Sequence, residues 1–239
     1  MKKLLLLMVV LGSVVAIPAL AAPIIGDLNI TGSVQVGATT IDWFPYDDPV
    51  VGGSTSGTFT VDPSSTGDFA SVIGSTGTSL DLDVTSQPVG TPFSLPNFLT
   101  VGPYSFTLTF INPGVFSSAS CGAPAAAGQT CTPNFPPPKS PFNLTNLTSS
   151  SSSASFSVMG TVTRNGTDVT NFTGLFTTQF PTQSFQDLLA IVSGGGKVPS
   201  SYSASFTAQA IPEPATASLM VGGALLLIAG LLKRKSGAA

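Results

Sequence analysis

The 239-residue chain carries few charges, 8 Lys and Arg against 11 Asp and Glu, and it contains no histidine. Without imidazole it can build neither a Ser-His-Asp nor a Cys-His centre, nor a His-ligated zinc site. Between Ala22 and Ala210 only Lys139, Arg164 and Lys197 stand against ten aspartates, a formal charge of about −7 that repels a phosphate backbone and argues against nucleic acid as a partner.

At the N-terminus Lys2 and Lys3 precede an apolar run over residues 4–17, and Ala19-Leu20-Ala21 places small residues at the −3 and −1 positions of a signal-peptidase site. Residues 1–21 are therefore expected to be a signal helix removed by signal peptidase. An uncleaved anchor is the alternative, and both imply export.

Residues 22–210 read as one extracytoplasmic β domain, long enough to bury a sizeable core. Tyr104, Phe106, Leu108 and Phe110 alternate with Ser and Thr, as do Phe156, Val158 and Val162, and again Tyr202, Ala204, Phe206 and Ala208. Period two with a Ser/Thr outer face predicts half-buried antiparallel strands. Further strands are expected near 28–36, 40–44, 58–61, 69–73, 80–84 and 172–180. Short spacing between Gly, Pro, Asn and Asp breakers favours an antiparallel β-sandwich or jelly roll. One short helix is expected where Ser184 can cap a turn through Phe185, Leu188, Leu189 and Val192 that Gly194-Gly195-Gly196 stops.

The longest irregular stretch, 112–141, holds Cys121, Cys131 and Pro136-Pro137-Pro138. In an oxidising compartment the two cysteines are expected to close a local disulfide worth up to ~3 kcal/mol on the chain-entropy estimate. A reactive or metal-binding pair is the alternative, with no histidine to complete it. The Ser-rich run 149–155 reads as linker or strand lead-in.

Candidate chemistry in the domain is confined to carboxylates and two aromatics. Asp42, Asp47 and Asp48 cluster about Trp43 and Tyr46, while Asp81 and Asp83 project from one face of an expected strand. The bland reading is a solvated face and a turn. The sharper one is a sugar-stacking platform formed by Trp43 and Tyr46 with nearby acids, as in a carbohydrate-binding module or a weak two-Asp glycosidase. No P-loop, dinucleotide fingerprint or D-x-D-x-D-G loop occurs, so no cofactor or metal is expected.

The C-terminal segment 211–239 is organised differently. Pro212, Glu213 and Pro214 form a stiff, non-helical strip, since each proline fixes its own φ and pushes its predecessor out of the α region. Glu213 is the only glutamate of the chain. An uncharged apolar run over 215–232 follows, long enough at ~1.5 Å per helical residue to span a bilayer core, and Lys233, Arg234 and Lys235 would hold its end on the cytoplasmic side. A buried helix of a soluble domain is the competing reading.

This order of motif, single span and basic tail resembles the PEP-CTERM sorting domain. Where members often carry Val before the first proline and an Arg-rich tail, this chain has Ile211 and Lys-Arg-Lys. The resemblance covers about residues 211–235 and implies recognition of the motif at 211–214 by an exosortase, a membrane-embedded transpeptidase-like enzyme. The span would then be a temporary membrane anchor. The expectation for the whole chain is an exported, noncatalytic cell-surface or matrix protein. It starts as an inner-membrane precursor, with extracellular polysaccharide as a candidate partner.

Overall fold

The computed structural model describes residues 22–47, 49–134 and 140–209. The expected signal helix 1–21, Asp48, Pro136-Pro137-Pro138, and the tail with Pro212, Glu213, Pro214, Lys233, Arg234 and Lys235 lie outside the described residues. Among the described residues no helix is long and apolar enough to cross a membrane.

The chain is mainly β. Its strands are β1 (Gly26–Val36), β2 (Thr40–Trp43), β3 (Ser56–Val61), β4 (Thr76–Leu80), β5 (Leu82–Asp83), β6 (Leu95–Val101), β7 (Tyr104–Ile111), β8 (Thr130–Cys131), β9 (Asn143–Thr148), β10 (Ser151–Arg164), β11 (Asp168–Phe180) and β12 (Val198–Gln209), with helix α1 (Phe185–Ser193) before the last strand. The expected sandwich is not what these strands build. Hydrogen-bonded neighbours run β1-β3-β4-β6-β7-β10-β11-β12, and β12 pairs back onto β1, closing an antiparallel barrel of eight strands. Each barrel strand pairs with the next barrel strand in the chain, so the topology is up-and-down, and closure leaves these eight without a free edge. The short strands β2 and β5 fill one rim, and β9 and β8 extend the sheet from β10.

Alternation accounts for the interior. Leu28 and Ile30 of β1, Phe106 and Leu108 of β7, Val158 and Val162 of β10, Phe172 and Phe176 of β11, and Phe206 of β12 are all buried, while most outer positions are Ser or Thr, with Met159, Val169 and Leu175 exposed among them. Small residues at other inward sites make room for the rings. A Cβ at Gly77 would lie 2.2 Å from Phe59 Cζ, and one at Gly174 would lie 2.6 Å from the Phe206 ring. A register shift in the β7–β10 pairing sets Met159 opposite Phe110 but Gly160 opposite Leu108, inserting one extra residue in β7. The bulge reverses the phase, so Ile111 is buried and Phe110, expected inside, is only half-buried.

The barrel end at Gly26 and Gln209 is plugged. Residues 69–73, expected as strand, instead form the end of a 3-10 turn (Gly67–Val72) and its C-cap Ile73; the turn inserts Phe69, with its ring centroid 4.9 Å from Tyr104 and 5.9 Å from Phe106. The Tyr104 hydroxyl donates to Asp68 O at 2.7 Å. Arg164 bridges Asp68 (3.0 Å) and Asp168 (2.9 Å) across the same end. The β10–β11 hairpin beside it turns at Asn165 and Gly166, φ 53° and 75°, the left-handed pair that a tight primed hairpin needs.

Candidate functional site

The opposite end of the barrel gathers the residues singled out above. β1 folds back into β2, setting Val34 opposite Trp43 and Val36 opposite Ile41. This carries Trp43 inward. It is 1% exposed, with ring centroids 5.2 Å from Phe176 and 4.8 Å from Tyr202. Its indole N–H donates to Leu80 O at 3.0 Å. Gly57 permits the approach, because a Cβ there would lie 2.4 Å from the Trp43 carbonyl carbon. Trp43 and Tyr46 therefore do not form a shared platform: Tyr46 is 40% exposed and packs edge-on to Phe44 at 5.5 Å.

The carboxylates divide in the same way. Asp42 and Asp81 are both fully buried, whereas Asp83 is half-buried and holds a turn by accepting from Thr85 N–H at 2.7 Å. Asp81 breaks the expected strand 80–84 between β4 and β5, and its Oδ1 accepts from the Trp43 backbone N–H at 2.8 Å. Asp42 Oδ1 accepts from Asp47 N–H at 3.2 Å, and its Oδ2 lies 3.8 Å from Lys197 Nζ. Burial raises the pKa of Asp81, with the Asp42 and Asp47 charges adding and its bonds to Thr55 and Trp43 opposing. A raised carboxyl pKa suits a proton donor. Its complete burial, however, leaves no surface on which a substrate could meet it. Among the described residues no three Asp, Glu or Cys side chains gather to hold a metal ion.

Next to Trp43 lies an apolar cavity of about 120 Å³ in the mouth of the barrel, bordered by Val34, Ile41, Leu82, Phe180, Leu188 and Val192. A narrower space of about 30 Å³ shares Val34 and Ile41 with it and is also lined by Trp43, Phe176 and Tyr202. The two spaces adjoin, sharing Val34, Ile41 and Ala154 among their lining residues.

Helix α1 covers one side of the cavity. Ser184 caps it as expected: its Oγ accepts from Asp187 N–H at 3.2 Å, and Asp187 Oδ2 accepts from Ser184 N–H at 2.9 Å. Beneath α1, a second cluster packs Phe185 and Leu188 against Leu144, Phe180 and Cys131. Cys131 is disulfide-bonded to Cys121, with Cα atoms 5.2 Å apart. Buried Asn146 ties the pieces together by accepting from Phe185 N–H at 2.9 Å and donating to Gln186 Oε1 at 2.9 Å, while Gln186 donates to Gln129 Oε1 at 3.0 Å. These amides escaped sequence reasoning because their partners lie 39 to 57 residues apart and no local pattern marks them.

Tyr202 also lines the narrow space, and among the described residues its hydroxyl has no hydrogen-bond partner. Burial accordingly pushes its pKa well above the ordinary phenol value. Removing an unpaired buried hydroxyl recovers its desolvation cost, so Tyr202→Phe is expected to leave stability unchanged or raise it by about 1 kcal/mol. Chemical denaturation checks this; a loss of stability would mean that the hydroxyl is satisfied.

The chain matches no family model, no curated protein and no solved structure.

Proposed function

We propose that this chain is an exported, noncatalytic protein of the cell surface or extracellular matrix. It reaches the inner membrane as a single-span precursor and is cut at its PEP-CTERM-like signal by an exosortase-type enzyme. The observation that carries this reading is the order of three unlike elements at the C-terminus: Pro212-Glu213-Pro214, the uncharged run 215–232, and Lys233-Arg234-Lys235. The Cys121–Cys131 disulfide supports it, because such bonds persist in oxidising compartments outside the cytosol. The closed barrel suits a folded cargo, since a meander without free barrel edges resists pairing with other chains in a crowded envelope.

The alternative, a carbohydrate-binding module or weak glycosidase, loses its central residue when Trp43 is buried. It retains only the exposed pair Phe44 and Tyr46. Extracellular polysaccharide stays the candidate partner of a matrix protein, with no stacking site assigned.

The test is Glu213→Ala in a host that carries the processing enzyme. Wild type is expected to yield a species whose intact mass lacks the tail, and the variant is expected to accumulate as full-length protein in the membrane fraction. Identical processing of the two would overturn recognition of the motif.

A further inference from the structure

We propose that the mouth of the barrel is a binding site for the end of a short, unbranched hydrocarbon chain borne by an uncharged ligand. The inference rests on the barrel alone and not on how the chain is sorted. Apolar side chains, among them Val34, Ile41, Leu82 and Leu188, form most of the lining. A site of this kind takes its ligand by excluding water rather than by polar readout.

Size and shape narrow the class. An apolar cavity of about 150 Å³ holds a six-carbon ring, so the space of about 120 Å³ here takes about five carbons. The adjoining smaller space, which shares Val34, Ile41 and Ala154 with the larger, favours a chain over a ring. A rigid ring would stop in the larger space, whereas a chain can pass its terminal methyl between Val34 and Ile41 into the smaller space beside Trp43 and Phe176. Asp83 at the border and the acidic balance of the domain oppose an anionic head group. Asp83, the one charged residue of the lining among the described residues, already accepts from Thr85 N–H, so the ligand proposed carries an uncharged head such as an alcohol or ester.

Trp43 supplies the probe, as the only tryptophan of the chain and a lining residue of the narrow space. Full-length protein, in buffer or, where its apolar ends require it, in nanodiscs with an empty-disc control for partitioning, is titrated with ω-bromo-1-alkanols of four to ten carbons, whose bromine quenches indole emission on contact. Saturable quenching is expected, with affinity rising roughly fourfold per methylene, the equivalent of ~0.8 kcal/mol, until the cavity is filled. Ala154 borders both spaces, so Ala154→Phe should weaken binding at least tenfold. Should that variant fail to fold, Val192→Phe on the half-exposed face of α1 fills the cavity from its other side and is expected to have the same effect. Quenching that is unsaturable, or equal in wild type and a folded filled variant, would refute the site. Bromobenzene quenching as tightly as the best chain would refute the preference for a chain.

Discussion

Trp43→Ala is expected to cost about 3–5 kcal/mol of folding stability, the range for deleting a buried large aromatic. For a domain of this size, that lowers the unfolding midpoint by roughly 6–20 °C. The indole touches Phe176 and Tyr202, and Phe176 in turn stacks on Phe156 at 4.5 Å and lies edge-on to Phe206 at 5.4 Å. Truncation would therefore open a void at the hub of an aromatic cluster joining β2, β10, β11 and β12, and would orphan Leu80 O, which the indole N–H now satisfies. Tyr46→Ala, at an exposed position, should stay within about 0.5 kcal/mol of wild type. A sugar platform predicts the reverse pattern, with both substitutions abolishing glycan binding and neither disturbing the fold. Thermal unfolding followed by far-UV circular dichroism separates the two. A drop below 3 °C for Trp43→Ala would contradict its place in the core.

That contrast marks where sequence stops being informative. In β7, β10 and β12, large apolar residues occupy the inward positions at period two, so these strands are legible from alternation alone. β4 is not, because its inward residues are Gly77 and Ser79: the space there belongs to the Phe59 ring from β3. β6 is hidden by Pro96 and by Asn97, which sits at φ 57° within a register irregularity. Closure is equally invisible, since half-buried alternation is the same in a sandwich and in a barrel. The difference lies in the pairing of β1 with β12 along the whole length of β1, a contact between the two ends of the domain. Local signals fare better. The Ser184 cap and the Gly194 stop each depend on residues close in sequence, and each appears where expected; the Cys121–Cys131 disulfide likewise joins residues close in the chain. Trp43 and Asp81 mislead because an Asp-rich neighbourhood usually means solvent. Here Asp81 is drawn inside by a backbone N–H 38 residues away.

Substitution of Asp81 separates what its oxygen does from what its charge does. Asp81→Ala removes the acceptor of the buried Trp43 N–H and should cost about 1–3 kcal/mol, roughly 2–12 °C in midpoint. Asp81→Asn keeps an oxygen for that bond, discards the charge, and relieves its repulsion with Asp42 and Asp47. It is expected to match or exceed wild type at neutral pH. The pH dependence has a definite sign. The folded-state pKa of Asp81 is raised, chiefly by burial, so its contribution to stability is fully present below the ordinary carboxylate value of ~3.9 and is lost as pH rises through the folded value. Asp62 and Asp187 act oppositely. Hydrogen bonds from Ser64 and Ser184 lower their pKa values, so their contribution is present above the ordinary range and is lost as pH falls through the lowered values. The two effects thus occupy different windows. Denaturation of wild type and Asp81→Asn across pH 3–8 should give curves that diverge as pH rises above the ordinary carboxylate range, with the variant gaining on wild type. Parallel curves would mean that Asp81 is solvated and that the Trp43 N–H does not draw a charge into the barrel wall.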